Sequence, residues 1–256
     1  MKSAILSVIP VPLAEDIAPG DDLVRKLRQA MQHHNQALLT DDVLVIKHKI
    51  VSKAEGRIIA LDSVQPSQAA QAWAKKSDAD ARLVELAMSE ARRIVRKKVV
   101  NGRGILITET HHGFVCANSG VDISNVDGGQ RAILLPKDPD RSASRIRKRI
   151  KKELGASVAV IISDSFGRAW REGLTEVAIG VAGMSPLHDD RGKRDPHGYV
   201  LHASAEAVAD ELACAAGLVC GKLKRTPFCI VRGFRYSHAS GRARDLIRAQ
   251  SADLFR

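Results

Sequence analysis

Residues 157–165, SVAVIISDS, decide the fold. From Val158 to Ile162 the run is aliphatic and does not alternate with polar residues, so a strand here is buried on both faces. Such a strand needs covering layers above and below, which points to helices packed on a sheet. Upstream, residues 140–155 (DRSASRIRKRIKKELG) predict a helix with a dense basic face. Downstream, 176–183 (EVAIGVAG) predicts a neighbouring strand. Branched aliphatics make 41–51 (DDVLVIKHKIV) a second buried strand, followed by a loop over 52–57 (SKAEGR). A first strand is expected in 3–11 (SAILSVIPV), and a late one in 227–233 (PFCIVRG). Short strands are expected in 104–110, 113–117 and 131–136.

Residues 19–38 open with Pro and two Asp and then place Leu23, Leu27, Ala30 and Met31 on one face, a helix start followed by an amphipathic helix. Helices are also expected over 66–76, over 81–98 (ARLVELAMSEARRIVRKK), over 204–222 with a small-residue face, and in the tail at 242–255. Strands and helices mix without strict alternation. The reading is therefore α/β in the mixed α+β sense: mixed sheets with flanking helices in one domain over 1–256, with two intimately packed subdomains as the alternative arrangement.

The 256 residues are 45% hydrophobic and 27% charged, enough for a sizeable core, but only 4% aromatic, so that core rests on Val, Ile, Leu and Ala. A formal net charge of +11 attracts anions: nucleic acid, a membrane face or phosphorylated small molecules. Cys116, Cys214, Cys220 and Cys229 form no C-x-x-C pair and read as buried free thiols in a reducing compartment. No apolar stretch is long enough to span a membrane, and the N-terminus lacks a signal-peptide cleavage site, so a cytoplasmic location is expected.

Two acidic stretches carry chemistry. In IISDSFGRAWREG (161–173), Asp164 and Ser165 follow the buried strand directly, at the kind of strand end where functional groups collect. A carboxylate beside a hydroxyl suits a hard cation such as Mg²⁺ or Mn²⁺, and Arg168 and Arg171 suit phosphate or carboxylate oxygens. In NSGVDISNV (118–126), Asp122 and Asn125 again offer oxygen ligands. Each stretch alone also reads as an ordinary polar turn. Together they supply the carboxylate pair with which proteins hold a divalent ion that serves a nucleotide. His48, Lys49, Lys53 and Arg57 surround a strand-to-loop junction, where Lys53 suits a phosphate as a point charge. Lys222 lies in a basic cluster at a helix end. There is no Walker A loop, no G-x-S-x-G elbow and no dinucleotide fingerprint. The basic helix suits nucleic-acid phosphates, but aromatic stacking platforms are missing around it, which makes a nucleic-acid partner the weaker reading.

GDDL, KIVSKAEGR, HGFVCANSGVDISNV, LLPKDPD, IISDSFGRAWREGLTEVAIGVAG, AVADELA and VRG occur in this order. Between Ile5 and Gly233 the chain resembles the coenzyme F420-0:L-glutamate ligase family. The resemblance implies a family-specific homodimeric α/β fold and a ligase that joins L-glutamate to F420-0. It implies GTP as energy source, an acyl-phosphate intermediate, Mg²⁺ or Mn²⁺ with K⁺ assisting, and the option of further γ-linked glutamates. It implies that Asp122 and Asp164 bind one divalent ion and that Ser165 contacts a second. It also implies that Pro10, Val11, Pro12, Leu13, His48, Lys53 and Asn125 contact GTP. His48 stands where Ser or Thr is usual. Lys222 stands where many relatives carry Gln or an acidic residue near the metals, so its ammonium replaces a cation or binds phosphate. Lys53 and Arg168 are the residues expected to assist phosphoryl transfer. The rival readings are another nucleotide-dependent amide ligase with a different acceptor acid, and a non-catalytic basic protein that binds deazaflavin or nucleic acid.

Overall fold

The computed structural model describes residues 5–124 and 126–253. In chain order its elements are β1 (Ser7–Val11), α1 (Leu23–His33), β2 (Val43–Lys47), α2 (His48–Ala54), β3 (Ile58–Ala60), α3 (Gln68–Ser77) and α4 (Ala81–Ser89). There follow β4 (Ala91–Val100), β5 (Arg103–Thr110), β6 (Val115–Ala117), β7 (Arg131–Ile133), α5 (Pro139–Leu154), β8 (Ala159–Arg168) and β9 (Arg171–Ala182). The chain closes with β10 (His188–Asp189), β11 (Ala205–Glu206), α6 (Val208–Cys220) and β12 (Phe228–Arg232).

The central sheet runs β1-β12-β2-β8-β9. Only β2 and β8 are parallel; the other pairs are antiparallel. Alternate residues of these strands point to opposite faces. Leu44, Ile46, Val160, Ile162 and Ile230 join one core with α1 and α5, while Val43, Val45, Ile161, Val181 and Val231 join another beneath α6. The aliphatic run 158–162 is therefore buried on both faces, as its lack of alternation requires. Each fully buried Ile contributes about 1.5–3 kcal/mol. A satellite unit of α3, α4, the β4-β5-β6 sheet and the β3-β7 ribbon has small cores of its own.

Three expectations are corrected. The stretch 41–51 is not one strand: the chain turns after Lys47 and makes α2, so the loop read at 52–57 begins inside a helix. The stretch 81–98 is a helix only to Ser89 and continues as β4, whose alternation is broken by register shifts at Ala91/Arg93 and Ile94/Arg96. The tail makes two short 3₁₀ turns, Ala243–Leu246 and Gln250–Ala252. The Ala243 amide donates to Asp140 at 2.8 Å, and Ile247 is extended. Within the described residues, no helix is long and apolar enough to cross a membrane.

Candidate active site

Strand β2 ends at Lys47, opposite Ser163 of the parallel strand β8, which runs on to Arg168 against β9. Ligand sites in open α/β sheets lie beyond such carboxyl ends. Here the segment after β1, the end of β2, the middle of β8, the first half of β9 and the approach to β12 open onto a cleft of about 590 Å³. Its lining includes Leu13, His48, Lys53, Asp122, Asp164, Ser165 and Lys222. Most of the candidate residues, separated by up to 209 positions in sequence, thus share one cavity.

Asp164 does not follow its strand as the sequence suggested: β8 continues through it to Arg168, pairing it with Val177, and it has little exposure. Its Oδ1 accepts from the Ser165 amide at 2.7 Å and lies 3.2 Å from His48 Nε2. The His48 ring is 2% exposed, and its Nδ1 lies 3.4 Å from Ser52 Oγ, so this side chain braces Asp164 from within α2. Among the described residues Asp164 Oδ2 has no protein partner. Burial pushes the Asp164 carboxyl up. The charge and hydrogen bond of His48 and the Ser165 amide outweigh it, so the group lies below the ordinary aspartate value. Asp122 acts on Asp164 as a like charge, which places the two carboxylates within electrostatic reach.

Asp122 arrives from the satellite unit. Its amide and carbonyl pair with Ile133, and the buried Ser119 hydroxyl donates to Ala87 O at 2.5 Å, anchoring the preceding turn. Asp122 Oδ2 lies 2.6 Å from Lys49 Nζ and Oδ1 accepts from the Ser124 amide at 2.7 Å. Burial raises this carboxyl too, and the Lys49 and Ser124 hydrogen bonds bring it below its ordinary value.

Sequence reading missed Glu176 in this role. Its Oε1 sits 2.7 Å from Lys47 Nζ and accepts from Ser165 Oγ at 2.7 Å, while Oε2 accepts from Ser163 Oγ at 2.9 Å. Room for it comes from Gly217 on α6, where a Cβ would stand 2.6 Å from Glu176 Cγ. The available signal was the small-residue face of that helix. Lys53 and Lys222 line the cleft without a partner among the described residues.

Arg168 is exposed on the β8–β9 hairpin, donates to the Glu172 carbonyl at 2.5 Å and does not line the cleft. Pro10 and Val11 lie within β1 and pair with Cys229 and Phe228; Val11 is fully buried, and Pro12 is half-buried beyond the strand. Asn125 lies outside the described residues. Burial, then the charge of Asp164, pushes the Cys116 thiol up to about 12, so it is no nucleophile at neutral pH. All four cysteines are free; Cys214 is only half-buried. On the exposed β10–β11 ribbon, His188, Asp190 and Glu206 bring ligand atoms within 4.8 Å of one another, a grouping that no sequence spacing suggested.

Asp122, Asp164, Ser165 and Glu176 offer, along one cleft, oxygen donors of the type a hard divalent cation takes. Lys49 already places a positive charge against Asp122, and Asp164 keeps an oxygen open. The residues present therefore fit Mg²⁺ or Mn²⁺.

Residues 13–233 match the family F420-0:Gamma-glutamyl ligase. The coenzyme F420:L-glutamate ligase of Methanothermobacter thermautotrophicus is 42% identical, with 100% of both chains covered. Its namesake from Methanopyrus kandleri is 43% identical over 98% of each chain. The namesake from Methanocaldococcus jannaschii is 45% identical over 84% of each. With the family matched over most of its length and relatives this similar end to end, the chain belongs to the F420-0:gamma-glutamyl ligase family.

Proposed function

We propose that this protein joins L-glutamate to coenzyme F420-0 in F420 biosynthesis, using GTP and an acyl phosphate of the acceptor carboxylate, and that it can extend the product by further γ-linked glutamates. The carrying observation is one cleft that holds Asp122 and Asp164 from different units within electrostatic reach, Asp164 with a free oxygen, beside the uncommitted Lys53 and Lys222. Phosphoryl transfer between a nucleotide and a carboxylate brings like charges together, so it needs alignment and neutralisation more than a side-chain nucleophile.

Each residue has a part in that reading. Lys53 and Lys222 offer uncommitted ammonium groups to phosphate oxygens. Lys47 and Lys49 are held by Glu176 and Asp122, which fixes their charges on the cleft wall. His48 orients Asp164. Leu13 and the end of β1 border the nucleotide, and Arg168 reaches phosphate only if it leaves the Glu172 carbonyl. Asp122, Asp164 and Ser165 would hold Mg²⁺ or Mn²⁺, which when bound neutralises phosphate charge; K⁺ assists.

The test is incubation with F420-0, L-glutamate, GTP and Mn²⁺, followed by mass spectrometry of the product and assay of GDP. A glutamylated product, with GDP formed only when both co-substrates are present, is expected. Equal support from ATP at limiting concentration removes the guanine assignment. No glutamylated product removes the ligase reading.

A further inference from the structure

The basic run on α5 looks continuous in sequence, yet the structure divides it. Arg145 pairs with Glu55 at 2.5 Å, and Arg149 pairs with Asp22 at 2.5 Å and Glu153 at 2.6 Å. Arg141 and Arg147 instead line a cavity of about 850 Å³, larger than the cleft. Its walls are the first turns of α5, the end of β9, the turn at His112 and the segment 238–244. Strand β9 links the two: Glu176 lines the cleft, while Ile179, Val181 and Ala182 line this cavity.

The half-buried guanidinium of Arg147 is built in. Its Nε donates to Val158 O at 2.9 Å, and among the described residues it has no carboxylate partner. Gly183, at φ +88°, makes room for it: a Cβ there would stand 2.2 Å from Arg147 Nε and 2.8 Å from Cδ. Lys137, Arg141 and Arg244 also line the cavity without a partner among the described residues.

The two acids in the lining, Asp138 and Asp140, are outnumbered by Lys137, Arg141, Arg147, Arg242 and Arg244, and both accept from backbone amides. Asp138 accepts from the Arg141 amide at 2.9 Å. Asp140 accepts from the amides of Val181 and Ala243, each at 2.8 Å. His112 adds a polar atom without a partner. Its Nε2 faces the carbonyls of Pro136 and Lys137 at 2.9 and 3.2 Å, so that nitrogen carries the proton, and Nδ1 is buried and unbonded.

Unpaired cations in a concave site focus their field and draw anions into it. Arginine forks bind phosphate and carboxylate in pairs of parallel hydrogen bonds, and the volume is that of a small-molecule site. We propose that this cavity is a second ligand site, distinct from the candidate active site, for a small polyanion carrying phosphate or carboxylate groups.

The test is calorimetric titration of the full chain in EDTA with inorganic pyrophosphate and, separately, with citrate. Saturable binding is expected. Arg141→Met/Arg244→Met, at exposed positions that leave folding intact, should weaken it by about 10-fold or more. Gly183→Ala, which displaces Arg147, should also weaken it, while Lys53→Met in the cleft should leave it unchanged. Tighter pyrophosphate assigns phosphate chemistry, and tighter citrate assigns carboxylate chemistry. No saturable binding of either anion overturns the proposal. So does wild-type affinity in the double variant, or an equal loss in Lys53→Met.

Discussion

Asp164 in the cleft and Asp210 beneath the sheet are both carboxylates held against the β8–β9 pair, yet they are driven in opposite directions. Burial pushes both up. Around Asp164 the His48 ring and the Ser165 amide overcome that push, and the group lies below its ordinary value. Asp210 receives one amide, that of Ala178 at 2.8 Å, and burial wins. Asp140 behaves like Asp210, although several amides face it. A carboxylate facing basic groups stays ionised and ready for metal and phosphate chemistry. One facing only backbone amides pins the exposed edge of β9 to a helix. The difference separates a reactive acid from a structural one without reference to relatives.

The largest expected effect falls on the reactive pair. Asp122→Asn and Asp164→Asn should each lower single-turnover ligation by about 10²-fold or more, the scale of losing an electrostatic partner in the transition state. Melting temperatures should stay close to wild type. If the two carboxylates act on one ion, the double variant will be little worse than either single variant. Near-native ligation in either single variant, or a loss that tracks unfolding, places these acids with Asp140 and Asp210.

Glu176 lies between the two classes, since it touches Lys47 in the cleft while its strand is pinned by Asp210. Glu176→Gln keeps the shape and removes the charge, leaving Lys47 without its carboxylate. The expected cost is about 1–3 kcal/mol of stability, read by urea unfolding, together with reduced ligation. A stability loss with unchanged kcat/KM would make Glu176 scaffold. A smaller effect is expected at Lys222. Lys222→Gln should steepen the dependence of activity on divalent ion, because an uncommitted positive charge leaves the cleft. An unchanged metal titration would show that Lys222 does not share the neutralisation.

The sequence showed Asp164 beside a buried strand run, though β8 in fact continues to Arg168, and it did not show the environment that distinguishes the acids. Asp164 was legible because the run before it does not alternate and therefore marks a buried strand. Glu176 was not, because its partners Lys47, Ser163 and Ser165 come from other strands, and in EVAIGVAG it reads only as a strand's first residue. The turn into α2 was hidden for a local reason. Lys47 stands at the helix start without a side-chain cap, and the branched residues on either side read as one strand. β4 was hidden by its two irregular steps, which give exposed Arg and Lys a helix-like spacing. The satellite's delivery of Asp122 through Ser119 and Ile133 is a tertiary fact, to which only the polar turn at 118–126 pointed.

The smallest effect sharpens the comparison most directly, through the sign of a pH dependence. Asp210 has a folded value above its unfolded one, so between the two the folded state binds more protons. Stability from this group is therefore present at low pH and given up as pH rises through that window. Asp164 has a folded value below its unfolded one, so its contribution is present above the ordinary aspartate value and lost as pH falls through the lowered one. Asparagine does not titrate, and its amide oxygen can still accept from the Ala178 amide. The melting temperature of Asp210→Asn relative to wild type should therefore rise as pH is raised through the window above the ordinary aspartate value. That of Asp164→Asn, measured in EDTA, should fall as pH is raised through the window below it. Each change should be a few degrees at most, since about 1 kcal/mol moves Tm by about 2–4 °C at this chain length. Parallel slopes for the two variants would mean that the cations of the cleft do not set Asp164 apart.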